Sequence, residues 1–201
     1  MKIFQYPSDP AEKRVKETIE RGLGFSPSDY ANVQGYIDDV KKRGDQALVE
    51  YTNQFDSRLV TLDSLRVTEQ EFDQAMDAID PDFLRSLERS VNQLTEFHLK
   101  QKENSWIDTP RNGVMVGQLV KPVEAAGVYA PGAKGGKTPL VSSVLMGGIP
   151  AKVAGVESIT LMTPPMENGR INPHILAAAR KVGISSVFKA GSAWAIAALA
   201  H

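Results

Sequence analysis

The sequence predicts an α/β fold in which a charged helical region, residues 1–120, precedes a parallel-sheet unit, residues 121–201. Composition shifts near residue 120 from charged and amphipathic to apolar. Beyond it, short apolar runs at 125–130, 157–162 and 185–189 alternate with helical patterns at 139–154, 172–182 and 191–200. Apolar strands with short connections argue for a parallel sheet covered on both faces. The third observation is the segment from Gly127 to Ala154. It breaks at Pro131-Gly132 into a glycine- and lysine-rich turn before Thr138-Pro139 opens a helix. At such a junction free N–H groups and the helix dipole favour an anion.

The N-terminal elements follow in order. Ser26-Pro27 starts a helix that runs to Arg43, and Gly44 ends it. Asp45 is expected to cap the next helix, with Ala47, Leu48, Tyr51 and Phe55 at helical spacing. Leu65 to Val67 reads as a short strand, and Thr68 to Glu71 fits a capping box. Pro81 opens a long helix with the stripe Leu84, Leu87, Val91, Leu94 and His98. Trp106 to Leu119 reads as a polar turn and one or two short strands. The last helix, GSAWAIAALAH, lacks a glycine cap or a following strand, so the chain is expected to be truncated.

Composition excludes several classes. At net charge −1 there is no global electrostatic case for nucleic acid or a membrane surface. The absence of cysteine excludes disulfides and Cys-based zinc sites. The N-terminus MKIFQYPSDPAEKR carries charges where a signal peptide needs apolar residues. No apolar run approaches the roughly 20 residues that span a bilayer. The expectation is a soluble, cytoplasmic protein.

The turn Gly132 to Thr138 nearly matches the phosphate loop G-x-x-x-x-G-K-[ST], but Pro131 stands where the first glycine belongs and offers no N–H. That motif also needs an Asp to hold magnesium at a neighbouring strand end, and Ser158 to Thr163 contains none. A flexible basic surface turn and a site for a diphosphate-bearing cofactor are the stronger readings. The standard G-x-G-x-x-G fingerprint is absent, as is the acidic ribose ligand about 20 positions on, so dinucleotide binding would be non-standard. Gly191-Ser192 offers either a second set of free N–H groups or an ordinary tight connection. Trp194 is by default a packing aromatic, although its closeness to Gly191 would let it face a ligand. His98 is expected half-buried on its helix and His174 solvated, and no histidine pair has metal-ligand spacing. Asp38-Asp39, Glu69 and Glu71 read as solvated faces and caps.

Several ordered motifs resemble the N-terminal half of the histidinol dehydrogenase family: GDQALVEYTNQFD (44–56), Phe97-His98, GVMVGQLVKPVEAAGVYAPG (113–132), PLVSSVLMGGIPAKVAGV (139–156), TPP (163–165) and AGSAWAIAALA (190–200). The resemblance implies an incomplete Rossmann-like unit in zinc- and NAD-dependent homodimers. Such enzymes oxidise a small amino alcohol, L-histidinol, to L-histidine in two steps through an aldehyde. It places an NAD contact at Tyr129, within G-x-Y-x-P-G-G, beside Pro131 and Gly132. It places a second at position 194, where the family has glutamine and this chain has Trp194.

The turn is longer than the family's, and Ala133 replaces its second glycine. The family's catalytic Glu-His pair, its zinc ligands and a further NAD-contacting asparagine fall beyond residue 201, so neither catalytic nor metal residues are assigned. The chain alone is expected to be inactive. The alternatives are a non-catalytic ligand-binding or dimerisation module and a phosphate-loop nucleotide hydrolase.

Overall fold

A computed structural model describes residues 2–21, 25–132 and 138–201. Residues 133–137, where most of the near-phosphate-loop motif falls, lie outside the described residues. The chain divides into two compact units, Met1–Gly35 and Tyr36–His201.

In the first unit Ser8 caps α1 (Asp9–Glu20), accepting from the Ala11 N–H at 3.4 Å. This helix was not anticipated. Its apolar positions Ala11, Val15 and Ile19 do repeat every fourth residue, but only Ala11 is buried. α2 (Pro27–Arg43) begins in this unit and continues into the second. At its start the Ser26 N–H donates to Asp29 Oδ2 at 2.7 Å, and the Asp29 N–H to Ser26 Oγ at 3.3 Å. The predicted start at Ser26-Pro27 holds through this reciprocal pair.

In the second unit Gly44, at φ 59°, ends α2 and is also the N-cap of α3 (Asp45–Phe55). Asp45 is therefore the first helical residue and not the cap. The left-handed turn at Gly44 takes that place, and the Asp45 charge favours the dipole from inside the first turn. α4 (Glu69–Ala78) starts with the expected capping box, in which Thr68 Oγ1 accepts from the Glu71 N–H and Glu71 Oε2 from the Thr68 N–H. Asp80 caps α5 (Pro81–Leu99). An antiparallel hairpin follows, β1 (Trp106–Arg111) and β2 (Val114–Gln118), turning at Gly113 with φ +80°.

The remaining elements are β3 (Ala125–Tyr129), α6 (Val141–Ala154), β4 (Ser158–Thr163), α7 (Pro173–Val182), β5 (Ser186–Lys189) and α8 (Ser192–Ala200). The three strands form a parallel sheet in the order β3-β4-β5. The predicted strand at 65–67 is a single antiparallel bridge, Arg66 to Phe188, which caps the outer edge of β5. β3 is the other edge.

Alternation along the strands separates two cores. Val128, Leu161 and Val187 join α4, α5, α6 and α7 on one face. Tyr129, Met162 and Phe188 join α3 and α8 on the other. Helix-to-sheet contact is close on both sides. A Cβ on Gly127 would lie 2.9 Å from Leu199 of α8, and one on Gly147 would lie 2.7 Å from Val128.

Candidate functional site

The strands point their carboxyl ends the same way, and the connections leave that end toward opposite faces. The segment after β3 leads to α6 on one face, and Gly191 leads to α8 on the other. Connections that diverge in this way open a crevice beyond the carboxyl ends, where open α/β sheets take their ligands. Tyr129 is the last residue of β3 and half-buried, followed by half-buried Pro131 and exposed Gly132.

The Tyr129 hydroxyl accepts a hydrogen bond from the Ser192 N–H at 2.9 Å, tying the end of β3 to the start of α8. Ser192 has φ 57°, a left-handed backbone that costs a non-glycine residue about 1–3 kcal/mol and is concentrated at functional sites. Gly191 has no room for a side chain: a Cβ would lie 2.8 Å from Pro164 Cβ and 3.4 Å from Asp56 Oδ2.

Trp194 is 5% exposed. Its indole stacks on Phe55 with ring centroids 5.1 Å apart and meets Tyr36 edge-on at 5.4 Å. It therefore packs as an aromatic, yet its Nε1 is buried and has no hydrogen-bond partner among the described residues. Three side-chain oxygens at the end of α3 share that condition: the acceptors Asn53 Oδ1 and Asp56 Oδ2, and the Thr52 hydroxyl, which can donate or accept. Burial pushes the Asp56 carboxyl up to about 6.

Other expected polar residues are engaged in structure. Asp39 accepts from Arg43 Nε at 2.7 Å and from the Tyr51 hydroxyl at 2.7 Å. Those bonds hold its carboxyl well below the usual carboxylate range. Glu69 meets Arg180 at 2.8 Å. Glu71, expected on a solvated face and as a cap, keeps the cap but also carries a buried ion pair: its Oε1 lies 2.7 Å from Nζ of Lys189, a core lysine at the end of β5. Burial would raise the Glu71 carboxyl, but the bonds from Lys189 and Thr68 outweigh it and the net shift is downward.

His98 is half-buried as expected, with Nδ1 2.7 Å from Gln101 Oε1. His174 is not freely solvated: it is half-buried edge-on against Phe83 at 4.6 Å, because Asn172 binds its N–H and turns it onto α5. Among the described residues no group of three or more His, Cys, Asp or Glu side chains could hold a metal ion. No helix among them is long and apolar enough to cross a membrane.

A parallel sheet with helices on both faces and a crevice at the end of its first strand defines an α/β protein of the Rossmann-like class. Comparison with known proteins narrows this class. The sequence model of histidinol dehydrogenase matches residues 26–201, and the chain belongs to that family. It is 46% identical over 169 residues to the histidinol dehydrogenase of Desulfotalea psychrophila, covering 84% of this chain and 39% of that protein. It is 44% identical over 201 residues to that of Syntrophotalea carbinolica, covering 100% of this chain and 46% of that protein. The crystal structure of histidinol dehydrogenase from Elizabethkingia anophelis superposes with a TM-score of 0.83 at 35% identity, over 96% of this chain and 42% of that one. The chain thus spans less than half the length of these relatives.

Proposed function

We propose that this chain is the cofactor-side portion of a zinc- and NAD-dependent histidinol dehydrogenase, which oxidises L-histidinol to L-histidine in histidine biosynthesis. In this reading residues 1–120 are an arm and the first part of a split domain, and residues 121–201 are the NAD-binding unit. The observation that carries it is the crevice at the end of β3, formed by Tyr129, Pro131, Gly132 and the start of α8, within the segment matched to the family.

The residues present fit a dinucleotide. Gly191 lets the chain pass close to Pro164 and Asp56 Oδ2, and among the described residues Asp56 Oδ2 and Trp194 Nε1 are buried without hydrogen-bond partners. NAD, when bound, accepts a hydride in each of the two oxidations. Tyr129 and the backbone at Pro131-Gly132 position the cofactor at the free edge of β3. Trp194 is buried against Phe55 and Tyr36 and holds the start of α8 against α2 and α3. The described residues do not fit zinc. Its ligands belong to the portion of the relatives that this chain does not span.

The pure chain, given L-histidinol, NAD and zinc, should produce no NADH absorbance, while NAD alone should quench the tryptophan fluorescence. Zinc-dependent NAD reduction would refute the inactive part of this reading, and failure to bind NAD would refute the cofactor part. A second reading, a non-catalytic dimerisation module, is favoured by the β1–β2 hairpin, whose Trp106, Ile107 and Met115 are exposed. Ligand-free self-association on size exclusion without NAD binding would support that reading, since the whole enzyme is also proposed as a homodimer.

A further inference from the structure

The usual dinucleotide-binding unit closes its second strand with an acidic residue that takes the ribose hydroxyls. Here the second strand, β4, ends in Met162-Thr163-Pro164-Pro165, which contains no acid. An acid nevertheless reaches this place from another element. Asp56 follows α3, and its Oδ2 lies 3.4 Å from where a Gly191 Cβ would stand; the nearest atom to that same point belongs to Pro164. The carboxylate is thus lodged between the end of β4 and the start of α8. The next residue, Ser192, is bonded to Tyr129.

We propose that Asp56 discriminates between cofactors, its carboxylate accepting the hydroxyls of the adenosine ribose and so selecting NAD over the 2′-phosphorylated NADP. The proposal rests on the dinucleotide reading above. In the usual geometry the diphosphate lies at the turn after the first strand and the adenosine over the second. Asp56 occupies the adenosine side and leaves the nicotinamide to the free edge of β3. The chemistry of the cluster agrees. Among the described residues the acceptors Asp56 Oδ2 and Asn53 Oδ1 have no partners, and neither do the Thr52 hydroxyl, which can donate or accept, and the Trp194 Nε1–H donor. A ligand that brings O–H donors satisfies such a cluster, whereas a phosphate adds charge beside a carboxylate. Among the described residues burial is the influence that shifts the Asp56 carboxyl, and it shifts it upward. Buried polar atoms without partners are few in native proteins, and several together call for a functional explanation.

The test is titration of the full chain with NAD and NADP, read by calorimetry, for the wild type, Asp56→Asn and Asp56→Ala. The wild type should bind NAD at least ~10-fold tighter than NADP, the equivalent of one charged hydrogen bond. In the variants that ratio should fall below about 3-fold, mainly through weaker NAD binding. Since a variant may fail to fold for unrelated reasons, 2′-deoxyadenosine NAD is titrated against the wild type as well, with an expected loss of about 10-fold. A wild type that prefers NAD while both variants keep the ratio, or one that binds the 2′-deoxy analogue as well as NAD, overturns the role of Asp56 and leaves the dinucleotide reading intact. A wild type that binds neither cofactor overturns both.

Discussion

Lys189 brings its ammonium into the core at 4% exposure, and Glu71 is the carboxylate that meets it. Removing one partner of a buried pair leaves an uncompensated charge, so Glu71→Gln should destabilise the chain by about 3–5 kcal/mol in urea unfolding. The double change Glu71→Gln, Lys189→Met should recover most of that loss. The two shifted carboxyls have opposite pH signatures. Glu71 is shifted down, so its contribution is present above the ordinary carboxylate range and is lost as pH falls through it. Asp56 is shifted up to about 6, so its contribution is full below the unfolded value of 3.8 and is lost as pH rises toward 6. Asp56→Asn should therefore melt higher than the wild type at pH 7.5, with the gap closing toward pH 4.5 in paired thermal scans. The cap made by Thr68 and Glu71 was legible because its parts stand three residues apart. The other carboxylate oxygen, committed to a lysine brought in by β5, left no local pattern to read.

At the scale of elements, the strand–helix repeats were legible to within a residue or two because glycine punctuates them. Gly155 and Gly183 end α6 and α7 with φ of 92° and 86°. α1 escaped although Ala11, Val15 and Ile19 repeat at helical spacing, because that three-residue stripe is short and lies between charged residues. The cap on α4 sets a modest expectation: Thr68→Ala should cost about 0.5–2 kcal/mol by chemical denaturation. The seat of α8 sets a larger one. Gly127 admits Leu199 so closely that a Cβ there would meet its side chain at 2.9 Å. Gly127→Val should overpack this face by roughly 1–3 kcal/mol and lower NAD affinity through displacement of Gly191. Intact NAD binding at reduced stability would show that the start of α8 is not part of the site.

For the whole molecule, the β1–β2 hairpin stands apart from both cores, with Ile107 at 73% and Met115 at 71% exposure. A lone two-stranded hairpin is marginally stable in water, so an exposed apolar face on it favours burial against another polypeptide. Co-expression with the remaining portion of the Desulfotalea psychrophila relative should yield a complex with histidinol-dependent NAD reduction. Ile107→Asp should prevent that assembly while leaving the chain's own melting temperature unchanged. The crevice was half legible in sequence. Tyr129, Pro131 and Gly132 announced themselves because strand, turn and helix follow one another along the chain. Asp56 did not, because it arrives from a helix more than a hundred residues away from Gly191, and only the folded sheet makes them neighbours.

The bond from the Ser192 amide to the Tyr129 hydroxyl joins residues 63 apart in sequence. Any occupant that shifts the phenol must alter the shielding of that one proton. In a nitrogen–proton correlation spectrum the Ser192 cross-peak would therefore act as a native indicator of occupancy at the sheet's carboxyl end. Tyr129→Phe would be its control, shifting the resonance once and leaving it insensitive to whatever enters afterwards.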